Sequence, residues 1–124
     1  MVCVGSGWME KQSAKGLRPW QRRWVIVRRT HLLWSKQQRD TQHPTDPKER
    51  AKFQNSITLL TVKKVRAVNT KRKRKFDIVT PAKIYHFKCA TKEERQRWLS
   101  GLKMHLEVLA ESMYFLNHTV LSKK

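Results

Sequence analysis

The hydrophobic period of this chain changes once, at Thr91, and that change limits the fold more than any other feature of the sequence. Before it, apolar residues come in short bursts rich in β-branched and aromatic side chains: GWMEKQ (7–12), WQRRWVIVRR (20–29), HLLWSK (31–36), NSITLLTV (55–62), KVRAVNT (64–70), KFDIVT (75–80) and IYHFKCA (84–90). Bursts of this length and composition predict strands. After it, Leu99, Leu102, Leu106, Leu109 and Met113 recur at spacings of three and four, with Trp98 beside them, as one apolar stripe of a helix. Seven strands followed by one helix predict a mostly β fold, an antiparallel sandwich or barrel on which the amphipathic helix packs.

The punctuation agrees with this division. KGLRP, RTH and TPAK carry turn chemistry between bursts. TKEE at 91–94 is a capping box, in which the Thr91 hydroxyl accepts from the Glu94 backbone N–H and the Glu94 side chain returns to the Thr91 N–H. The helix is therefore expected over about 91–113, with a short tail from Tyr114 to Lys124 that either extends the helix or frays. QQRDTQHPTDPKERAKF (37–53) holds two prolines and no apolar alternation, which predicts a long solvated loop. With 124 residues, a single domain over 1–124 is expected.

Charge narrows the partners. Lys and Arg total 28 against 9 Asp and Glu, a formal net charge of +19. From Met1 to Ala90 there are 22 basic and 5 acidic residues, so the strands and their loops hold nearly all of the excess. Such a surface favours a polyanion, either a phospholipid layer or a nucleic acid. Cys3 and Cys89 give no disulfide framework, and neither they nor the five histidines have metal-ligand spacing, so a reducing compartment and no metal are expected. No apolar run reaches the roughly 20 residues that span a bilayer. Paired carboxylates, a nucleophile elbow and a glycine-rich phosphate loop are all missing, so no catalytic residue, no cofactor and no enzyme activity is predicted.

GWMEK, PWQRRWVIV, HLLWSK and IYHFKCATKEERQRWLSGL, in that order, resemble the pleckstrin homology (PH) domain over roughly residues 5–110. The resemblance implies a bent seven-stranded antiparallel sandwich or barrel. One end is plugged by the C-terminal helix, whose early tryptophan is matched by Trp98, and the other end is open and electropositive. It further implies a module, cytoplasmic and peripheral on the cytosolic face of a membrane, that binds phosphoinositide head groups. The family's signature of a lysine ending the first strand and a basic-x-arginine opening the second falls on Lys11 and Arg23. The first position of that pair is Gln21 here, a departure that leaves one charge fewer. Trp34 stands where many lipid-binding members have a tyrosine, and Lys36 follows near the start of the third-to-fourth strand loop, which borders the same mouth.

Side-chain parity explains why a core strand opens with paired arginines. Alternate residues share a face, so Gln21, Arg23, Val25 and Val27 point inward while Trp20, Arg22, Trp24 and Ile26 point outward. Met9 and Lys11 share the inner face of the first strand, and Lys11 and Arg23 are expected to meet at the rim around one phosphate-sized site. Arg22, on the opposite face, is the weaker candidate. TKRKRK (70–75) places Lys71, Arg72, Lys73 and Arg74 on a hairpin that, with Lys15, Leu17 and Arg18 of the first loop, forms a candidate accessory membrane contact. Trp8, Trp20 and Trp24 read first as packing elements. The alternatives are less selective binding of phosphatidic acid or phosphatidylserine, a protein-interaction domain, or a nucleic-acid binder stacking bases on its tryptophans. The gathering of cations at one end of a closed barrel favours lipid over nucleic acid. The isolated domain is expected to be a monomer.

Overall fold

The computed structural model describes residues 5–13 and 20–122, with side chains up to residue 116. Lys15, Leu17 and Arg18, predicted for the accessory contact, lie outside the described residues. Seven strands form one antiparallel sheet: β1 (Ser6–Lys11), β2 (Gln21–Arg28), β3 (His31–Ser35), β4 (Asn55–Thr58), β5 (Lys64–Ala67), β6 (Lys75–Val79) and β7 (Ile84–Lys88). The order is β4-β3-β2-β1-β7-β6-β5. The sheet is bent around one core: Met9, Val25, Leu32, Ile57, Val65, Phe76 and Phe87 come from all seven strands and lie in one buried cluster. The mostly β fold with a C-terminal helix predicted from the period change is the fold observed.

The helix α2 (Lys92–Ser122) begins where the capping box places it, with Thr91 Oγ1 accepting the Glu94 N–H at 3.1 Å. Its first turns plug one end of the sheet. Trp98, Leu99 and Leu102 are buried in the core, and Leu106 and Leu109 pack against it in part. The expected stripe ends there. Met113 is 43% exposed, because the sheet it would cover has ended, and the tail beyond residue 113 extends the helix to Ser122. Gly7 faces this helix, and a Cβ there would lie 3.4 Å from Trp98 Cζ2, an ordinary van der Waals contact, so the indole packs directly against β1.

Two other expectations are corrected. The burst 55–62 is half strand, since after Thr58 it tightens into a 3-10 turn over Leu59–Thr61 that sets Leu59 into the core. The segment 37–53 is built, not merely solvated. Asp46 caps a one-turn helix α1 (Pro47–Arg50) by accepting the Lys48 N–H at 2.9 Å, and Thr41, itself buried, donates to Glu49 at 2.8 Å. Its end carries Phe53 onto Ile26 and Leu33, beside Trp24. The physical reason lies in β2 and β3, which are apolar on both faces; their outer face needs a cover, and this segment supplies it.

Candidate functional site

At the end of the sheet away from α2, four segments meet: the end of β1, the start of β2, the end of β3 and the turn between β6 and β7. Parity sends Lys11, Arg23, Trp34 and Tyr85 to the inner face there. Lys11 is 8% exposed and its ammonium lies 4.7 Å from the Trp34 ring centre and 5.7 Å from that of Tyr85, while donating to the Gln12 carbonyl at 3.1 Å. Trp34 and Tyr85 meet edge to face with ring centres 5.9 Å apart and so form an aromatic floor. A cation over aromatic faces is attracted by their quadrupoles, but this recovers only part of its lost hydration. Burial, followed by the charges of Lys83 and Arg23, pulls the Lys11 ammonium down from 10.5 to about 8.

Arg23 is equally buried and is held by neutral groups. Its guanidinium donates to Gln54 Oε1 at 2.6 Å, the Arg22 carbonyl at 2.7 Å and Gln21 Oε1 at 3.2 Å. Gln21, the departure from the family signature, thus orients Arg23 without neutralising it. Among the described residues neither Lys11 nor Arg23 forms an ion pair with a carboxylate. The nearby acids are engaged elsewhere: Asp77 with Arg66 at 3.1 Å and with His86 at 2.7 Å, and Glu10 with Lys88 at 3.4 Å.

Lys83, Tyr85 and Gln54 belong to this cluster and were not singled out from the sequence. Lys83 lies 4.6 Å from the Tyr85 ring centre, on a turn closed by Thr80, which donates through its hydroxyl to the Lys83 carbonyl and accepts the Lys83 N–H. Parity along β7 would have found Tyr85, two residues from the core Phe87. Lys83 and Gln54 carry no such signal, because loops set their places.

The remaining candidates are spread out. Arg22 is exposed on the outer face, 4.6 Å over the Trp8 ring, and is not brought to the mouth. Lys36 is exposed just beyond β3. Lys71, Arg72 and Arg74 line a separate hollow of about 260 Å³ with Thr70, Lys75 and Lys88. Lys73 stands at its tip with φ of 54°. The ammonium groups of Lys75 and Lys88 both lie over the Trp20 ring, at 5.3 and 4.7 Å, so Trp20 is a cation–π platform for two lysines. Trp8 and Trp24 meet edge to face at 5.3 Å. The Cys89 thiol is buried, which pushes it up to about 12 and leaves it inert as a nucleophile. No cluster of metal-ligating side chains and no helix long and apolar enough to cross a membrane occurs among the described residues.

A bent seven-stranded antiparallel sheet, plugged at one end by a helix bearing Trp98 and cationic at the other, defines a class of small binding modules. The family model of the PH domain matches residues 3–107, and the chain belongs to that family. PH domains are generally non-catalytic modules. Among solved structures it is similar to the N-terminal PH domain of human ARAP2, with 26% identity over 87% of this chain and 85% of that one and a TM-score of 0.62. It is also similar to the PH domain of human TBC1 domain family member 2, with 25% identity, 86% and 82% coverage and a TM-score of 0.68. The C-terminal PH domain of pleckstrin, solved in complex with D-myo-Ins(1,2,3,5,6)P5, shares the fold at 21% identity, 83% and 94% coverage and a TM-score of 0.61. No match was found among curated protein sequences.

Proposed function

We propose that this PH domain is a non-enzymatic membrane-targeting module that receives an anionic phospholipid head group, most simply a phosphoinositide, at the mouth formed by Lys11, Arg23, Trp34 and Lys83. One observation carries the reading: two buried cations share the inner rim with neutral partners alone. Desolvated charge without a counter-ion is unfavourable, and a phosphate accepting from both groups offsets it through charge-assisted hydrogen bonds. The pleckstrin relative, which holds an inositol pentakisphosphate, supports an inositol phosphate as the ligand class. Lys36 and the hairpin Lys71, Arg72, Lys73 and Arg74 then act as a diffuse basic surface that holds the domain, as a monomer, on the cytosolic face of a membrane.

Vesicle co-sedimentation tests this. Neutral vesicles are compared with vesicles containing phosphatidylserine, phosphatidic acid or single phosphoinositides, for the native chain and for Arg23→Ala and Arg22→Ala. Arg23→Ala is expected to lose about 1.5–3 kcal/mol of affinity, the worth of a hydrogen bond to a charged group. Arg22→Ala, on the other face, loses much less. Equal losses would mean that only total charge matters and that no head-group site exists at the mouth. Equal binding to all anionic lipids, with Arg23 still dominant, would assign the mouth to phosphate as such, not to inositol phosphates.

A further inference from the structure

Beside the mouth, β1 has a second feature, an open edge. Gly5 accepts the Val27 N–H at 2.9 Å, so residues 5, 7, 9 and 11 direct their backbone groups at β2; Gln12 donates to the His86 carbonyl at 3.0 Å, so Ser6, Trp8 and Glu10 direct theirs toward β7. Of these three, only Glu10 meets a β7 partner, Lys88. The register would set Ala90 opposite Trp8, but the chain has left by then: Cys89 N–H donates to the Arg74 carbonyl at 2.8 Å, and Thr91 caps α2. Among the described residues, the N–H and C=O of Ser6 and Trp8 on that side have no protein partner. They face a hollow of about 690 Å³ whose other wall is Ala90 and the first turns of α2, with Trp98 and Gly7 at its base.

We propose that this trough binds an extended acidic peptide segment as an added strand on β1. A free strand edge is a template for another backbone, and alternate side chains of the added strand fall either into the hollow or out to solvent. Four edge groups, on Ser6 and Trp8, match the backbone of about four to five residues of extended chain at roughly 3.3 Å each. The charges of the walls select the sign. Glu10 is neutralised by Lys88, and the remaining groups are Arg22 and Arg97 against Glu94, within a chain of net charge +19. Arg22 and Arg97 have no carboxylate partner among the described residues. An acidic residue at each flank of the added strand pairs with them, and an apolar residue between fills the space over Trp98. This surface shares no side chain with the cluster at the mouth, and only Lys88 with the hollow at the hairpin, so it stands or fails apart from head-group binding at the mouth.

The test uses the intact chain and a strand-forming probe, acetyl-EVTVEVE-amide, read by amide hydrogen exchange and by two-dimensional nitrogen–proton spectra. Binding should slow exchange at Ser6 and Trp8 while Gly7 and Met9, already bonded to β2, stay unchanged. Ser6→Pro removes one outward N–H and no β2 bond, since residues 5 and 7 carry those, and should abolish the protection at Trp8. Arg97→Glu, on an exposed helix position, should weaken the acidic probe about fivefold, the scale of one surface ion pair, and strengthen acetyl-KVTVKVK-amide. Because Arg97→Glu leaves β1 untouched, it decides the matter even where Ser6→Pro unfolds. The proposal is overturned by any of four results: no protection at millimolar probe, equal binding of the basic or backbone N-methylated probe, the same protection produced by anionic vesicles, or by self-association in ultracentrifugation. Binding that survives Lys11→Met with Arg23→Ala supports the separation from the mouth.

Discussion

Lys11 carries its charge to a site with aromatic rings and other cations around it, and this sets how the domain answers to pH. The folded value near 8 lies below the ordinary 10.5 because burial disfavours the ammonium, with Lys83 and Arg23 adding to the effect. A base with a depressed folded value destabilises the fold while it stays charged. That penalty is fully present below pH 8, fades as pH rises from 8 to 10.5 and is absent above, because the unfolded chain holds the proton longer. Lys11→Met, similar in length, should therefore raise stability at pH 7 by roughly 1–3 kcal/mol, with the gain vanishing near pH 10.5. Denaturant melts of both proteins at pH 7, 9 and 10.5 check this; a pH-independent difference would place the effect in packing alone. Binding should move the other way. An anion at the mouth favours protonated Lys11, so affinity for phosphoinositide vesicles should fall between pH 7 and 9 in the native chain and stay flatter in the variant. Arg23 behaves differently, because its partners Gln21 and Gln54 reach water and can rehydrate. Arg23→Ala should leave stability within about 1 kcal/mol of native.

At the scale of elements, the order of strands and the start of the helix were legible because each has a local cause. The capping box fixes residue 91, and the alternation in β2 places Arg23, Val25 and Val27 on one face whatever the rest of the chain does. The unbroken VIV and LLW runs were also a signal, since strands apolar on both faces imply a second cover, and the proline-rich segment 37–53 is that cover. Lys83, Gln54 and the trough along β1 were not legible. They depend on where loops return and on β7 parting from β1 after Lys88, which is settled by three-dimensional packing of α2. The helical stripe was read too far for the same reason: periodicity marks a face, and only the sheet's extent says how much of that face is covered. Two truncations in α2 separate these cases. Leu102→Ala, at a fully buried position, should cost about 2–5 kcal/mol, whereas Met113→Ala should change stability by no more than about 0.5 kcal/mol. Thermal melts of the pair measure it, and a large loss at Met113 would show that the outer half of the helix is covered.

For the whole molecule, nearly all of the net charge of +19 sits on the strands and loops, and under the proposed function recognition and adhesion are separate properties. The mouth has few groups, fixed by hydrogen bonds and aromatic contacts. The hairpin Lys71, Arg72, Lys73 and Arg74 has many: the first three are turned to solvent, Arg74 is half-buried with its Nε covered and unbonded, and none is attached to an acid among the described residues. Near an anionic leaflet each such residue contributes about 1 kcal/mol, screened beyond a Debye length of roughly 8 Å at physiological salt. Neutralising all four should therefore weaken binding to every anionic vesicle by a similar factor, up to roughly a thousandfold, without reordering the lipids. Raising salt should do the same to the native chain, and should do less to the variant because fewer screened charges remain. Co-sedimentation at two salt concentrations, with phosphatidylserine and with single phosphoinositides, resolves the two contributions. A change in lipid ranking on neutralising the hairpin would make the hollow lined by Lys71, Arg72 and Arg74 the head-group site and reduce Lys11 and Arg23 to support. An unchanged ranking, with salt dependence shared by all anionic lipids, leaves the hairpin as the adhesive surface and the mouth as the reader.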